Sequence, residues 1–179
     1  MNLRKMKFTF TYNYLAIGTI LVLASCGQQK HKQEAEKTAP QTIAVADASF
    51  SDERAGKVFH DYQQLRKALV RSQADEVLTA AGKLGSSLPE EQVEMKSMAL
   101  AMADAADIEK QRALFSDLTA AIEPLFAESL SEGSIYKQFC PMAFEGKGGY
   151  WISDVQEIRN PYYGDKMLKC GSVVETLTN

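Results

Sequence analysis

Sulfur is the most visible chemistry in this chain. Cys140-Pro141-Met142 and Met167-Leu168-Lys169-Cys170 each place a thiol and a thioether a few residues apart. Thiolates and thioethers are soft, polarisable ligands that favour Cu(I) and similar ions over calcium or magnesium. If the two segments converge, Cys140, Met142, Met167 and Cys170 would surround one monovalent soft cation. Two thiolates around it leave a single net negative charge, with Arg159, Lys166 and Lys169 nearby in sequence to offset it. Spacing leaves two other readings open. Two cysteines 30 residues apart in an oxidising compartment form a disulfide, and closing that loop stabilises by roughly 3–4 kcal/mol in the chain-entropy model. The same two residues also read as inert buried thiols, and by spacing alone no CxxC, HxxH or third cysteine supports the metal reading.

Other reactive side chains are sparse. Of the two histidines, His31 sits among lysines in a polar stretch, and His60 adjoins Phe59 in a helical pattern. Both read as solvated or hydrogen-bonded groups before they read as ligands. Met95, Met98 and Met102 recur at i, i+3 and i+7, a stripe that could bind copper but more often serves as adaptable core packing. Tyr150 and Trp151 offer faces for a ligand, or for packing against helices. Asp107 and Glu109 near Arg112 read as a helix entry with local charge pairing. No nucleophile elbow, phosphate loop or metalloprotease helix occurs in the sequence, so no enzyme is expected. A formal charge of -3, from 20 basic and 23 acidic residues, supplies no basic field for nucleic acid.

The elements that must position the sulfurs begin after an address. Arg4, Lys5 and Lys7 precede an apolar stretch ending in Leu15-Ala16-Ile17-Gly18-Thr19-Ile20-Leu21-Val22-Leu23, too short and weakly flanked for a stable membrane span. It closes with Leu23-Ala24-Ser25-Cys26-Gly27, which resembles the lipobox of bacterial lipoproteins. Residues 1–25 then read as a lipoprotein signal peptide and Cys26 as the lipidated residue; the alternative is an ordinary secretory signal with an incidental cysteine. Acyl chains would anchor the protein at ~0.8 kcal/mol per buried CH₂, making the membrane a partner. Without those 25 residues the chain keeps 17 basic and 23 acidic groups.

Three zones follow. Residues 26–51 are polar and without period, and read as a flexible tether. Residues 52–133 are helical in pattern: Val58, Tyr62, Leu65 and Leu69 recur at i, i+4, i+7 and i+11, and Ala74, Val77, Leu78, Ala81 and Leu84 continue after a polar break. Gly85-Ser86-Ser87-Leu88-Pro89 predicts a turn, with Pro89-Glu90-Glu91 opening a third helix that carries Val93, Met95, Met98, Ala99 and Met102. A fourth runs from about Ile108 through Phe115, Leu118, Ile122 and Phe126, with Pro124 predicted to kink it or to mark its frayed last turn. Residues 134–179 hold 7 of the 16 aromatics and 5 of the 11 glycines. Ile135 to Cys140 alternates, Gly146-Lys147-Gly148-Gly149 predicts a turn, and Tyr150-Trp151-Ile152 a returning strand. The expected fold is mainly α: an antiparallel four-helix bundle carrying an irregular or short β-hairpin cap, in one domain over 52–179.

The cap also carries a resemblance. Gln138-Phe139-Cys140-Pro141-Met142-Ala143-Phe144, Gly148-Gly149-Tyr150-Trp151-Ile152-Ser153 and the run from Glu157 through Asn160-Pro161-Tyr162-Tyr163-Gly164 to Met167-Leu168-Lys169-Cys170-Gly171 resemble the C-terminal signature of a domain of unknown function. It is found in Gram-negative lipoproteins and at the C-terminus of some adaptor subunits of heavy-metal efflux pumps of the CusB type. Tyr62 to Leu69 and Ile108 to Phe115 resemble its helical half. The expected location is the Gram-negative cell envelope, lipid-anchored and facing the periplasm from the outer membrane, and the resemblance implies a helical periplasmic domain. It also implies association with a heavy-metal efflux adaptor or pump, and Cys140, Met142, Met167 and Cys170 as ligands for copper(I) or a similar soft ion. The alternative expectation is a metal-free interaction module, locked by a Cys140–Cys170 disulfide, that docks an envelope protein.

Overall fold

Asp52 begins the folded helices in the computed structural model, which describes residues 48–179. The expected signal peptide, the Cys26 lipidation site and the tether up to residue 47 lie outside the described residues. The Asp52 carboxylate accepts the Arg54 N–H at 3.0 Å and caps α1 (Glu53–Val70). Its stripe of Val58, Tyr62, Leu65 and Leu69 is wholly buried, as the 3.6-residue period requires. Ser72, with φ 55°, turns the chain into α2 (Ala74–Ser87), which buries Val77, Ala81 and Leu84. Then come α3 (Val93–Ala103) and α4 (Ile108–Ser129), the latter capped by Asp107 accepting the Lys110 N–H at 2.8 Å. Each helix packs on the next, and α1 also meets α4.

Several boundaries differ from the sequence reading. Gly85-Ser86-Ser87 is the last turn of α2: the Ser86 hydroxyl donates to Gly82 O at 2.9 Å and that of Ser87 to Leu84 O at 3.0 Å. Pro89 to Gln92 form a turn closed by Gln92 N–H to Pro89 O at 3.0 Å, so α3 starts at Val93, which is 70% exposed instead of being in the core. Pro124 lies inside α4, which continues to Ser129. The methionine stripe is core packing: Met95 and Met102 are buried and Met98 packs against the same cluster.

The C-terminal part holds more β structure than expected. Strand β3 (Ser134–Cys140) pairs antiparallel with β4 (Gly149–Ser153), as the alternation suggested, and also with a third strand, β5 (Ser172–Thr178). The order is β4-β3-β5. Between β3 and β4 lies a four-residue helical turn, α5 (Ala143–Gly146), in which Phe144 and Glu145 adopt φ 52° and 59°. A second, two-stranded sheet joins β1 (Ser49–Phe50) to β2 (Leu130–Glu132). It extends the fold into the expected tether, where Phe50 packs on Phe59 with ring centroids 4.9 Å apart and the planes tilted by 41°. The described chain is thus mainly helical with two small antiparallel sheets. None of its helices is long and apolar enough to cross a membrane.

Candidate functional site

The C-terminal sheet is built against polar side chains from the helices. The Ile152 N–H donates to Tyr62 Oη at 3.2 Å, and Gln63 Nε2 donates to Ile152 O at 3.2 Å. The Tyr162 hydroxyl donates to Tyr150 O. These side chains thus occupy outward main-chain groups of β4, one of the two edge strands of the sheet, that would otherwise be unpaired. Arg66, buried in α1, donates to Gln63 Oε1 and to Asp154 Oδ1, both at 2.8 Å, just beyond β4. From α4, Arg112 donates to Pro161 O at 3.1 Å and pairs with Glu109 at 2.7 Å, the local pair expected from sequence. Tyr162 packs edge-on against Phe144 and Trp151, at centroid distances of 5.1 and 6.0 Å.

Past β4 the chain loops back, and Asn160 gathers the loop. Its N–H donates to Leu168 O at 2.9 Å, its Nδ2 to Cys170 O at 3.0 Å, and its Oδ1 accepts the Tyr162 N–H at 2.8 Å. A 3₁₀ turn, Gly164–Met167, precedes Cys170, whose N–H donates to Met167 O at 3.0 Å. Gly171 follows with φ 143°, and a Cβ there would stand 2.8 Å from Phe139 O and 3.0 Å from the Trp151 ring. Only glycine permits this approach. In the register that follows, Ser172 lies opposite Phe139, so Cys170 arrives beside Cys140.

The sulfurs of Cys140 and Cys170 are 3.2 Å apart, and both cysteines are free thiols sharing an S–H···S contact. Cys140 is fully buried and Cys170 half-exposed. The hydrogen bond to Cys140, and then burial, push the Cys170 thiol above its ordinary range, while the Met142 N–H acts in the opposite direction. Of the four predicted ligands, the two thiols therefore meet. Met142 reaches the pair through its main-chain N–H, its carbonyl accepts the Tyr163 hydroxyl at 2.6 Å, and the residue is 51% exposed. Met167 reaches Cys170 through its carbonyl. Two of the cations expected to offset thiolate charge are engaged elsewhere, Lys169 at 2.7 Å and Arg159 at 3.2 Å from Glu157. Among the described residues, no group of three or more His, Cys, Asp or Glu side chains is placed to hold a metal ion, so a soft-ion site here depends on thioethers to complete the thiol pair.

The residues that build this site without ligating chemistry, Gln138, Asn160, Tyr162 and Gly171, were not singled out by spacing. Gln138 Nε2 donates to Val155 O at 2.9 Å and Gln156 O at 3.0 Å and anchors the start of the loop. Their partners lie across turns and strands, so no periodic signal announces them.

The described residues form a mainly helical protein with two small antiparallel sheets, in which Cys140 and Cys170 meet beside the three-stranded sheet. Residues 58–133 match the model of a family described as "Protein of unknown function (DUF3347)", so this stretch is a domain of unknown function. The match spans most of α1 through β2 and ends before Cys140. The chain matches neither a curated protein nor a solved structure.

Proposed function

We propose that this protein captures soft, copper-like ions at the Cys140–Cys170 pair, as a lipoprotein tethered through Cys26 in the Gram-negative envelope and serving heavy-metal efflux or homeostasis. In this reading α1 to α4 form an antiparallel bundle that carries the capture site on its cap. The observation that supports it is the meeting of two free thiols, 3.2 Å apart, one buried and one half-exposed, with the Met142 main-chain N–H beside them. The donor set suits such an ion: thiolates bind soft cations strongly, and thioethers add neutral ligands without adding charge. Cys140 and Cys170 would hold the ion, with Met142 and Met167 completing its shell. The outcome in this reading is binding and transfer of the ion.

The test is a Cu(I) titration of the reduced full chain carrying Cys26→Ser, against a competing chelator. Relative to Cys140→Ser/Cys170→Ser, the intact pair is expected to bind more tightly by more than roughly a hundredfold. Equal affinities remove the reading. A second reading, a metal-free module that docks an envelope partner, draws on the exposed Tyr150, Val173 and Val174 of β4 and β5. Protein isolated from the envelope with an intact mass two hydrogens lighter before reduction, and without Cu(I) affinity after it, would put this reading in place of the first.

A further inference from the structure

Cys140 and Cys170 share a contact but not an exposure. Cys140 ends β3 with its side chain sealed in the core, whereas Cys170 lies half-exposed in the loop before β5. Main-chain pairing holds both in place. Cys140 is in register with Gly149, and Cys170 is bound at its N–H by Met167 O and at its carbonyl by Asn160 Nδ2. The 3.2 Å between the sulfurs exceeds the about 2.05 Å of a disulfide by an amount that side-chain rotation can close, with the strands keeping their register. From this arrangement we infer that Cys170 is a modification site, the entry thiol for thiol–disulfide exchange, that Cys140 is its resolving thiol, and that the internal disulfide they form closes the soft-metal site. The inference rests on the metal-capture reading above and adds its regulation.

The oxidant is a small-molecule or protein disulfide, RSSR. Cys170, as thiolate, attacks one sulfur of RSSR: a Cys170–SR bond forms, the oxidant's S–S bond breaks, and the departing RS⁻ takes up the proton Cys170 released. Cys140, as thiolate, then attacks Cys170 Sγ, breaks the mixed disulfide and expels the second RS⁻, which takes up the Cys140 proton. Two electrons pass from the thiol pair to the oxidant, and the products are one protein disulfide and two RSH. Access sets the order, because the oxidant can reach Cys170, while Cys140 can reach only the sulfur beside it. Both thiolates are consumed, and thiolate is the form that ligates metal.

The experiment uses the full chain with Cys26→Ser, so that no third thiol takes part, equilibrated over a series of reduced to oxidised glutathione and read by intact mass after acid quench. Wild-type pair residues are expected to give a species two hydrogens lighter without a lasting glutathione adduct. Cys140→Ser is expected to accumulate a glutathione adduct on Cys170, because nothing resolves it, and Cys170→Ser to remain unmodified. An adduct on Cys170→Ser as abundant as on Cys140→Ser overturns the assignment, as does a wild-type pair that never closes. Cu(I) competition on the same samples is expected to show roughly a hundredfold loss of affinity on oxidation, reversed by a phosphine reductant. Reduced protein without Cu(I) affinity overturns the metal reading and the gate with it. Oxidised protein that keeps its affinity overturns the gate and leaves the metal reading standing.

Discussion

Tyr62 Oη joins three elements: it shares a hydrogen bond with Thr119 Oγ1 of α4 at 2.8 Å and accepts the Ile152 N–H of β4 at 3.2 Å. Burial pushes its pKa up to about 12 from 10.0. Below pH 10 the phenol is neutral in folded and unfolded chains alike, so its contribution is fully present. Between about pH 10 and 12 the unfolded chain loses the proton first, and stability falls as pH rises, by an amount approaching 3 kcal/mol. Tyr62→Phe is therefore expected to cost about 1–3 kcal/mol at neutral pH, where it leaves the Ile152 N–H unpaired. It should also flatten the alkaline decline, with Tyr162, likewise raised by burial, supplying what slope remains. Urea melts from pH 8 to 12 measure both, and parallel curves for the two proteins would refute the assignment. Arg66 makes the second residue-level case. Its guanidinium is held below its ordinary pKa by burial, with Asp154 pulling the other way. Asp154→Asn strands that charge and is expected to cost about 3 kcal/mol, whereas Arg66→Met with Asp154→Asn should recover most of the loss. A double variant no more stable than Asp154→Asn alone would contradict this account.

At the scale of elements, α4 keeps its course through Pro124, which is exposed and lacks the N–H that would close a bond to Ala120 O. Pro124→Ala should supply that bond and stabilise the protein by about 1–2 kcal/mol in a thermal melt; a lowered midpoint would show that the proline is doing something other than interrupting the ladder. In β4, a Cβ on Gly149 would lie 2.6 Å from the Tyr162 ring. Gly149→Ala is expected to cost about 1–3 kcal/mol and to weaken the near-ultraviolet signal of Tyr162 and Trp151; an unchanged spectrum and midpoint would contradict the close packing. The elements also show how far pattern reading reaches. The α1 stripe was legible because its period is local and every stripe residue is buried. The extension of α2 was not, since Gly85-Ser86-Ser87 has turn composition. That glycine is instead a packing contact, its Cβ position 3.5 Å from Ala99 of α3, and the serines bond back to helix carbonyls. Strand β5 was missed because Leu177 is its only residue drawn toward the core, which leaves no alternation to read.

Over the described molecule, the helices and the C-terminal three-stranded sheet with its loop complete one another. Tyr62, Gln63 and Arg66 from α1 and Arg112 from α4 place their polar atoms on Ile152, Asp154 and Pro161. Separating the two halves would leave these groups buried without partners, or expose the apolar surface around them. Urea unfolding is therefore expected to be one transition by far- and near-ultraviolet signals alike, and a fragment ending at Gly133 is expected not to hold its helical signal. Two separated transitions, or a stably helical fragment, would overturn that coupling. The sequence by itself determined where most helix faces lie, which residues alternate in β3 and β4, and that sulfur is the candidate chemistry, because each is written in residue type and short-range period. Whether the two thiols meet was decided only by tertiary structure. Thirty residues of chain separate them, and what brings them to 3.2 Å is a strand register, the hydrogen bonds of Asn160 and the missing side chain at Gly171, all interactions between segments whose pairing no local pattern encodes.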